Sequence, residues 1–119
     1  MKPTEKQLER KLVKAIKQAG GACLKYYNPA LAGFPDRLCI TSTGHVFWVE
    51  LKGPGGKPRP LQQQRIKELR RLSSPVYIVN DLPTLNWVIN YFHEHNRALP
   101  HTPWSTPAED EQPDTDLPF

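Results

Sequence analysis

The sequence has little cysteine and no long apolar run, and each shortage excludes a class of protein. Its two cysteines, Cys23 and Cys39, lie within apolar stretches, which favours reduced core packing over a disulfide or a zinc site made of thiolates. No run of about 18 or more apolar residues is present, and the first residues lead into a charged helix rather than an apolar signal segment. We therefore expect a cytoplasmic protein.

Basic residues are absent from the last part of the chain. All 16 Lys and Arg residues lie at or before Arg97 together with seven of the 12 acids, so the body has a net charge of +9 and the tail, with five acids, −5. A basic body attracts polyanions, and the phosphate backbone of DNA is the partner that this charge suggests. Charge alone leaves open a solvated basic surface that only maintains solubility.

The apolar pattern predicts an α/β domain with the element order αβββαβα. Helical spacing recurs in three segments, and short apolar or β-branched runs predict four strands: residues 4–19, 61–72 and 82–96 for the helices, and 22–28, 36–41, 45–52 and 76–80 for the strands. The Gly- and Pro-rich segment 53–60 fits neither pattern and predicts an exposed basic loop. A chain of 119 residues suits a single domain, which we place at residues 1–97.

Residues 98–119 differ in composition from the rest of the chain. Five of the 13 prolines fall here, among Thr, Ser and acidic residues, which predicts a tail that is largely disordered in isolation. Trp104 and the terminal Leu117-Pro118-Phe119 could anchor another protein or fold back over the basic body. A terminus without function is the third interpretation.

Three residues that can carry chemistry meet in the predicted hairpin. Strand alternation places Glu50 and Lys52 on one face of the third strand, and Asp36 begins the strand before it. Glu50 and Lys52 alone would indicate a salt bridge, but Asp36 adds a second carboxylate, and two adjacent like charges require a cation between them. Asp36, Glu50 and the Leu51 backbone carbonyl form a candidate partial shell for Mg²⁺ or Mn²⁺. Lys52 could then orient or deprotonate a water, or stabilise developing charge.

One pattern of residues resembles a known nuclease signature. The signature is PD-(D/E)-x-K in its Glu variant, and the matching residues are Pro35-Asp36 and Glu50-Leu51-Lys52. Neighbouring segments extend the likeness: Gly20-Gly21, Lys25, Gly33-Phe34-Pro35-Asp36-Arg37, Val46 to Lys52, the Gly-Pro-Gly-Gly loop, Pro60-Leu61-Gln62 and Val76 to Val79. This series resembles the VRR-NUC family, the virus-type replication-repair nuclease domain, in its short stand-alone form, over roughly residues 4–92.

The resemblance implies a restriction-endonuclease-like core, with a central mixed β-sheet flanked by helices, and a phosphodiesterase activity that depends on Mg²⁺ or Mn²⁺. It implies a further acidic metal ligand from the first helix, which would be Glu9, with Glu5 as a substitute. It also implies a Gln that positions water or phosphate; Gln62 matches best, although Gln63 and Gln64 blur the register. Stand-alone members resemble homodimers that act on branched DNA such as four-way junctions, in a bacterial or phage setting.

Four basic residues near the signature are candidates for contact with DNA. Lys57 and Arg59 lie on the loop directly after the signature lysine, beside the predicted site. Lys25 in the first strand and Arg37 in the second could contact phosphate, but either could instead pair with a carboxylate.

The leading hypothesis is a metal-dependent endonuclease that hydrolyses DNA in replication, recombination or repair. Two alternatives stay open: a DNA-binding module of the same fold that no longer cuts, and a sequence-specific restriction-type endonuclease. The presence of Glu9, Asp36, Glu50 and Lys52 argues against the first alternative. The small size, with no added recognition domain, argues against the second.

Overall fold

The predicted order of helices and strands is confirmed in the computed structural model, which describes residues 2–97. The helices are α1 (Glu5–Gln18), α2 (Pro60–Arg71) and α3 (Leu82–Glu94), and the strands are β1 (Ala22–Lys25), β2 (Arg37–Ile40), β3 (Val46–Leu51) and β4 (Val76–Val79). None of the helices in this range is both long and apolar enough to cross a membrane. The predicted disorder of residues 98–119 lies outside the described residues.

The four strands form one mixed sheet in the order β1-β2-β3-β4. The first three are an antiparallel meander, in which Arg37 lies opposite Val49 and Ile40 lies opposite Val46. β4 runs parallel to β3, and α2 supplies the crossover that a parallel connection needs. This topology brings the end of β1, the start of β2 and the end of β3 to the same edge of the sheet.

Helices cover both faces of the sheet, so the core has two parts. α1 and α3 pack on one face, around Phe47 and Phe92, which are both 0% exposed. α2 packs on the other face, where Ile66 contacts the cluster that contains Trp48 and Val76. Strand alternation explains the division, because Phe47 and Trp48 are consecutive residues of β3 and point to opposite faces.

α1 begins at a capping box and ends at a glycine. The Thr4 hydroxyl accepts a hydrogen bond from the Gln7 N–H at 3.2 Å, and the Gln7 side chain accepts one from the Thr4 N–H at 2.9 Å. Gly20 follows the helix with φ +87°, a left-handed conformation that glycine adopts without strain. The helix is thereby fixed in register, with its buried stripe against the sheet: Leu8, Leu12, Val13 and Ile16.

The first strand is shorter than predicted. It ends at Lys25 instead of residue 28, although the Tyr26 N–H still donates to the Asp36 carbonyl at 2.9 Å. Asn28 then turns the chain, because its side-chain oxygen accepts from the backbone N–H groups two and three residues further on, both at 3.1 Å. The loop that follows this turn returns Asp36 to the sheet.

The end of the described chain is held at the turn between β2 and β3. The Asn96 side chain accepts from the Ser42 N–H at 2.8 Å and donates to the Ala19 carbonyl at 2.9 Å. The Arg97 N–H donates to the Ser42 hydroxyl at 2.7 Å. This turn lies at the opposite end of β2 and β3 from the signature carboxylates, so residue 97, the last described residue, is remote from them.

Candidate active site

Asp36 is held against β3 by its own side chain. Its Oδ2 atom accepts a hydrogen bond from the Leu51 N–H at 2.9 Å. The register of β2 and β3 pairs Arg37 with Val49, and continuing it by one residue puts Asp36 opposite Glu50. The structure therefore brings the two carboxylates of the signature together at one edge of the sheet.

Glu50 is an interior carboxylate with very little polar support. The residue is 1% exposed, and neither carboxylate oxygen has a hydrogen-bond partner among the described residues. Its ion pair is with Lys52, whose Nζ lies 3.2 Å from Oε2 and whose side chain is 18% exposed. Buried polar groups are almost always hydrogen-bonded, so this carboxylate requires a functional explanation.

The surroundings of Glu50 favour its protonated form. Its pKa is raised to about 7, chiefly by burial and next by the negative charge of Asp36, while Lys52 acts in the opposite direction. In the absence of another cation, the site therefore holds a proton at mildly acidic pH. A second positive charge near both acids would favour the ionised carboxylate instead.

The donor atoms at this edge of the sheet fit a hard divalent cation. Asp36 and Glu50 offer carboxylate oxygens, Leu51 offers a backbone carbonyl, and the Glu50 oxygens have no competing hydrogen bonds. The side chains that meet here are two acids rather than three. Within residues 2–97, no group of three or more His, Cys, Asp or Glu side chains is gathered where it could hold a metal ion.

Glu9, the acid expected from the first helix, is paired with an arginine. Its Oε2 lies 2.9 Å from Arg37 Nε, and Arg37 Nη1 donates to the Cys23 carbonyl at 3.1 Å. Arg37 is only 5% exposed, so its guanidinium is part of the interior and does not face solvent as a phosphate contact would. The sequence left two partners open for Arg37, a phosphate or a carboxylate. The structure contains the carboxylate pair, with Glu9.

A cleft of about 570 Å³ opens beside Asp36, and its lining does not include Glu50 or Lys52. Both acids of α1 line it, together with the end of β1, the start of β2 and the end of β3: Glu5, Glu9, Lys25, Tyr26, Tyr27, Asp36 and Leu51. Lys25 is therefore in position to meet a phosphate that enters the cleft. Glu5 and Glu9 lie at the same wall, so the substitute acid considered for the first helix is also close to the site.

Three further predicted residues lie in the loop before α2 and at its start, and they do not line the cleft: Lys57, Arg59 and Gln62. Gln62 is 8% exposed, and its Oε1 accepts from the Arg59 N–H at 2.9 Å, which caps α2. Lys57 and Arg59 are exposed. Their loop is anchored by Asn80, whose side-chain amide donates to the Gly56 carbonyl at 3.0 Å.

Tyr27 is a cleft residue that the sequence did not distinguish from its neighbour. Tyr26 packs edge-on against Trp48, with 5.0 Å between ring centroids and 88° between ring planes. Tyr27 is 84% exposed at the cleft. The signal that separates the two is alternation: continuing the strand pattern past Lys25 turns one tyrosine into the core and the next away from it.

The chain resembles known proteins in sequence and in fold. No family model matches it. It is 33% identical over 88 residues to "Putative nuclease p44" of Acyrthosiphon pisum secondary endosymbiont phage 1, covering 72% of this chain and 95% of that protein. A solved structure described as "VRR_NUC domain" matches with a TM-score of 0.64 and 23% identity, covering 76% of this chain and 99% of that one. The fold is therefore restriction-endonuclease-like, and the chain belongs to the VRR-NUC family of nucleases.

Proposed function

We propose that this protein is an endonuclease of replication, recombination or repair that hydrolyses DNA phosphodiesters with Mg²⁺ or Mn²⁺ and prefers branched DNA such as four-way junctions. The observation that carries the proposal is the Glu50 carboxylate, which is buried without a hydrogen-bond partner beside Asp36 and lies 3.2 Å from the Lys52 ammonium. Family membership supports the nuclease activity. The net charge of +9 in residues 1–97 supports a nucleic-acid partner.

Each residue at the edge of the sheet has a role in this proposal. Asp36, Glu50 and the Leu51 carbonyl would hold the cation, which would supply Lewis-acid polarisation of the scissile phosphate and activation of water. The Leu51 N–H fixes Asp36 before substrate arrives. Lys52, paired with Glu50 yet partly exposed, supplies positive charge for the developing negative charge on phosphate. Lys25 adds a cation at the cleft wall.

The proposal is tested by cleavage of a labelled four-way junction and a linear duplex of matched sequence, with Mg²⁺, with Mn²⁺ and with EDTA. We expect metal-dependent cutting of the junction, slower cutting of the duplex and none in EDTA. Binding without cutting in either metal would contradict the activity and favour the binding module. Cutting of both DNAs at one shared sequence would favour the restriction-type alternative.

The proposal includes a homodimer, because a four-way junction presents equivalent strands that two symmetry-related sites can engage together. Sedimentation equilibrium should give twice the chain mass of 13.6 kDa. If the protein had the mass of a single chain and still cut four-way junctions, the homodimer would be contradicted.

Tyr27 is the residue that we expect to favour branched over linear DNA. An aromatic ring that is 84% exposed at the cleft can stack on a base that is unpaired at a branch point, which contributes about 1–3 kcal/mol. Tyr27→Ala should therefore slow cutting of the junction roughly tenfold and leave the duplex rate nearly unchanged, whereas Tyr27→Phe should cut both normally.

A matched control for Tyr27 is Trp87→Ala on α3. Trp87 is also exposed, at 54%, but it is not part of the cleft lining. Its replacement should leave the ratio of junction to duplex rates unchanged. Equal losses on both DNAs for Tyr27→Ala would rule out a role in selectivity.

A further inference from the structure

The outward face of α1 carries positive charge only. Its cations, which we call the α1 basic face, are Lys6, Arg10, Lys11, Lys14 and Lys17. Four of the five are exposed and Lys17 is half-buried. Residues 6, 10, 14 and 17 recur at helical spacing and so form a single stripe. The two acids of the helix, Glu5 and Glu9, lie elsewhere, at the wall of the cleft.

The charges of the α1 basic face have no partners in the described part of the chain. None of its five side chains forms an ion pair or a hydrogen bond with residues 2–97. Like charges one helical turn apart destabilise a helix, and exposed helices that serve only solubility usually intersperse both signs. An all-positive face is therefore unfavourable in the free protein, and a bound polyanion would offset the repulsion.

A groove of about 460 Å³ lies at the N-terminal end of this face. It contains three cations, Lys2, Arg10 and Lys11, and is completed by Pro3, Gln7 and Leu82. α1 thus borders two concave surfaces, the cleft with its acids on one side and the groove with its cations on the other.

We propose that the α1 basic face and its groove bind DNA phosphates outside the cleft, so that a duplex arm of the substrate continues across α1. Residues 6 to 17 span about 16 Å along the helix, which corresponds to roughly five base-pair steps. The stripe can therefore follow one stretch of phosphate backbone. The identity of the polyanion as DNA rests on the proposed function.

The test compares two double variants of the full chain that lose equal charge. Arg10→Gln with Lys14→Gln removes two of the five cations of the α1 basic face. Lys67→Gln with Arg71→Gln removes two exposed cations of α2, on the other side of the sheet. Gln preserves helix propensity. Binding to a fluorescent four-way junction is measured by anisotropy in EDTA, between about 50 and 200 mM salt.

We expect the α1 variant to reduce the slope of log K against log salt by about 2, because each lost phosphate contact removes about one unit. Its affinity at about 0.1 M salt should fall between tenfold and a hundredfold. The α2 variant should keep the wild-type slope. The melting temperature of the α1 variant should be unchanged or higher, since repulsion along the helix is relieved.

The inference would be overturned by an unchanged slope for the α1 variant, by an equal fall in slope for the α2 variant, or by no DNA binding by the wild type. Tighter binding by the α1 variant would also overturn it and would indicate that the acidic residues 98–119 occupy the face instead. Failure of the proposed activity is separate, because a protein that binds without cutting still gives a salt slope for each variant.

Discussion

Replacing Glu50 with Gln, or Asp36 with Asn, is expected to lower the rate of DNA cleavage by a factor of about 1,000 and to leave DNA binding nearly unchanged. Each amide keeps the size of the acid but removes the charge that would hold a divalent cation. The loss corresponds to about 4 kcal/mol of transition-state stabilisation, within the range expected for a catalytic metal. The rate of cleavage is measured in single turnovers with the protein in saturating excess over a four-way junction. DNA affinity is measured separately in EDTA, so that a loss of cleavage is distinguished from a loss of binding.

The control for this prediction is Glu94→Gln, which removes an exposed acid at the end of α3 and should cut at the wild-type rate. Lys52→Met should resemble the two acid variants in activity, because the ammonium beside Glu50 is lost. Cleavage at the wild-type rate by the Glu50 or Asp36 variant would show that the active site lies elsewhere.

The free energy of unfolding of the metal-free protein is expected to fall by about 3 kcal/mol as the pH rises from about 4.5 to about 7, because the pKa of Glu50 is raised in the folded state. Below the ordinary pKa of 4.5, Glu50 is protonated in both the folded and the unfolded chain, so the free energy of unfolding has its full value. Between the two values the unfolded chain releases its proton while the folded chain keeps it. Stability therefore falls as the pH rises, and the loss is complete above the folded pKa of about 7.

Denaturant unfolding of wild type and Glu50→Gln in EDTA measures this contribution, since other titrating groups cancel in the comparison. The variant should be more stable by about 3 kcal/mol at pH 8, and the difference should vanish near pH 4.5. Mn²⁺ at pH 8 should stabilise the wild type but not the variant, because a ligand stabilises the state that binds it. A difference in the free energy of unfolding that is constant across pH would contradict the raised pKa of the buried Glu50 carboxylate.

The central site could be predicted from the sequence because its residues are close along the chain. A two-residue period puts Glu50 and Lys52 on one face, and a short hairpin brings Asp36 to the neighbouring strand. The element order was predictable for the same reason, since helical and strand periods are local properties. The error at the end of β1 has a local cause too, the turn made by the Asn28 side chain.

Contacts between distant segments were not predictable in this way. Glu9 and Arg37 are 28 residues apart, and no period or spacing relates them, so Glu9 could be assigned only through family resemblance. The same resemblance marked Gln62 as a site residue; its Oε1 atom caps α2 in the structure, and its role at the site stays a prediction. A glutamine at the third position of a helix suits a cap as well as a catalytic role, and sequence alone does not separate the two.

Asn96 fastens the end of the described chain to the turn between β2 and β3 and to the end of α1. Residue 97, the last described residue, is thereby separated from Asp36 and Glu50 by the length of β2 and β3. Loss of the two Asn96 hydrogen bonds would therefore loosen the turn and the end of α1, at the end of the sheet remote from Asp36 and Glu50.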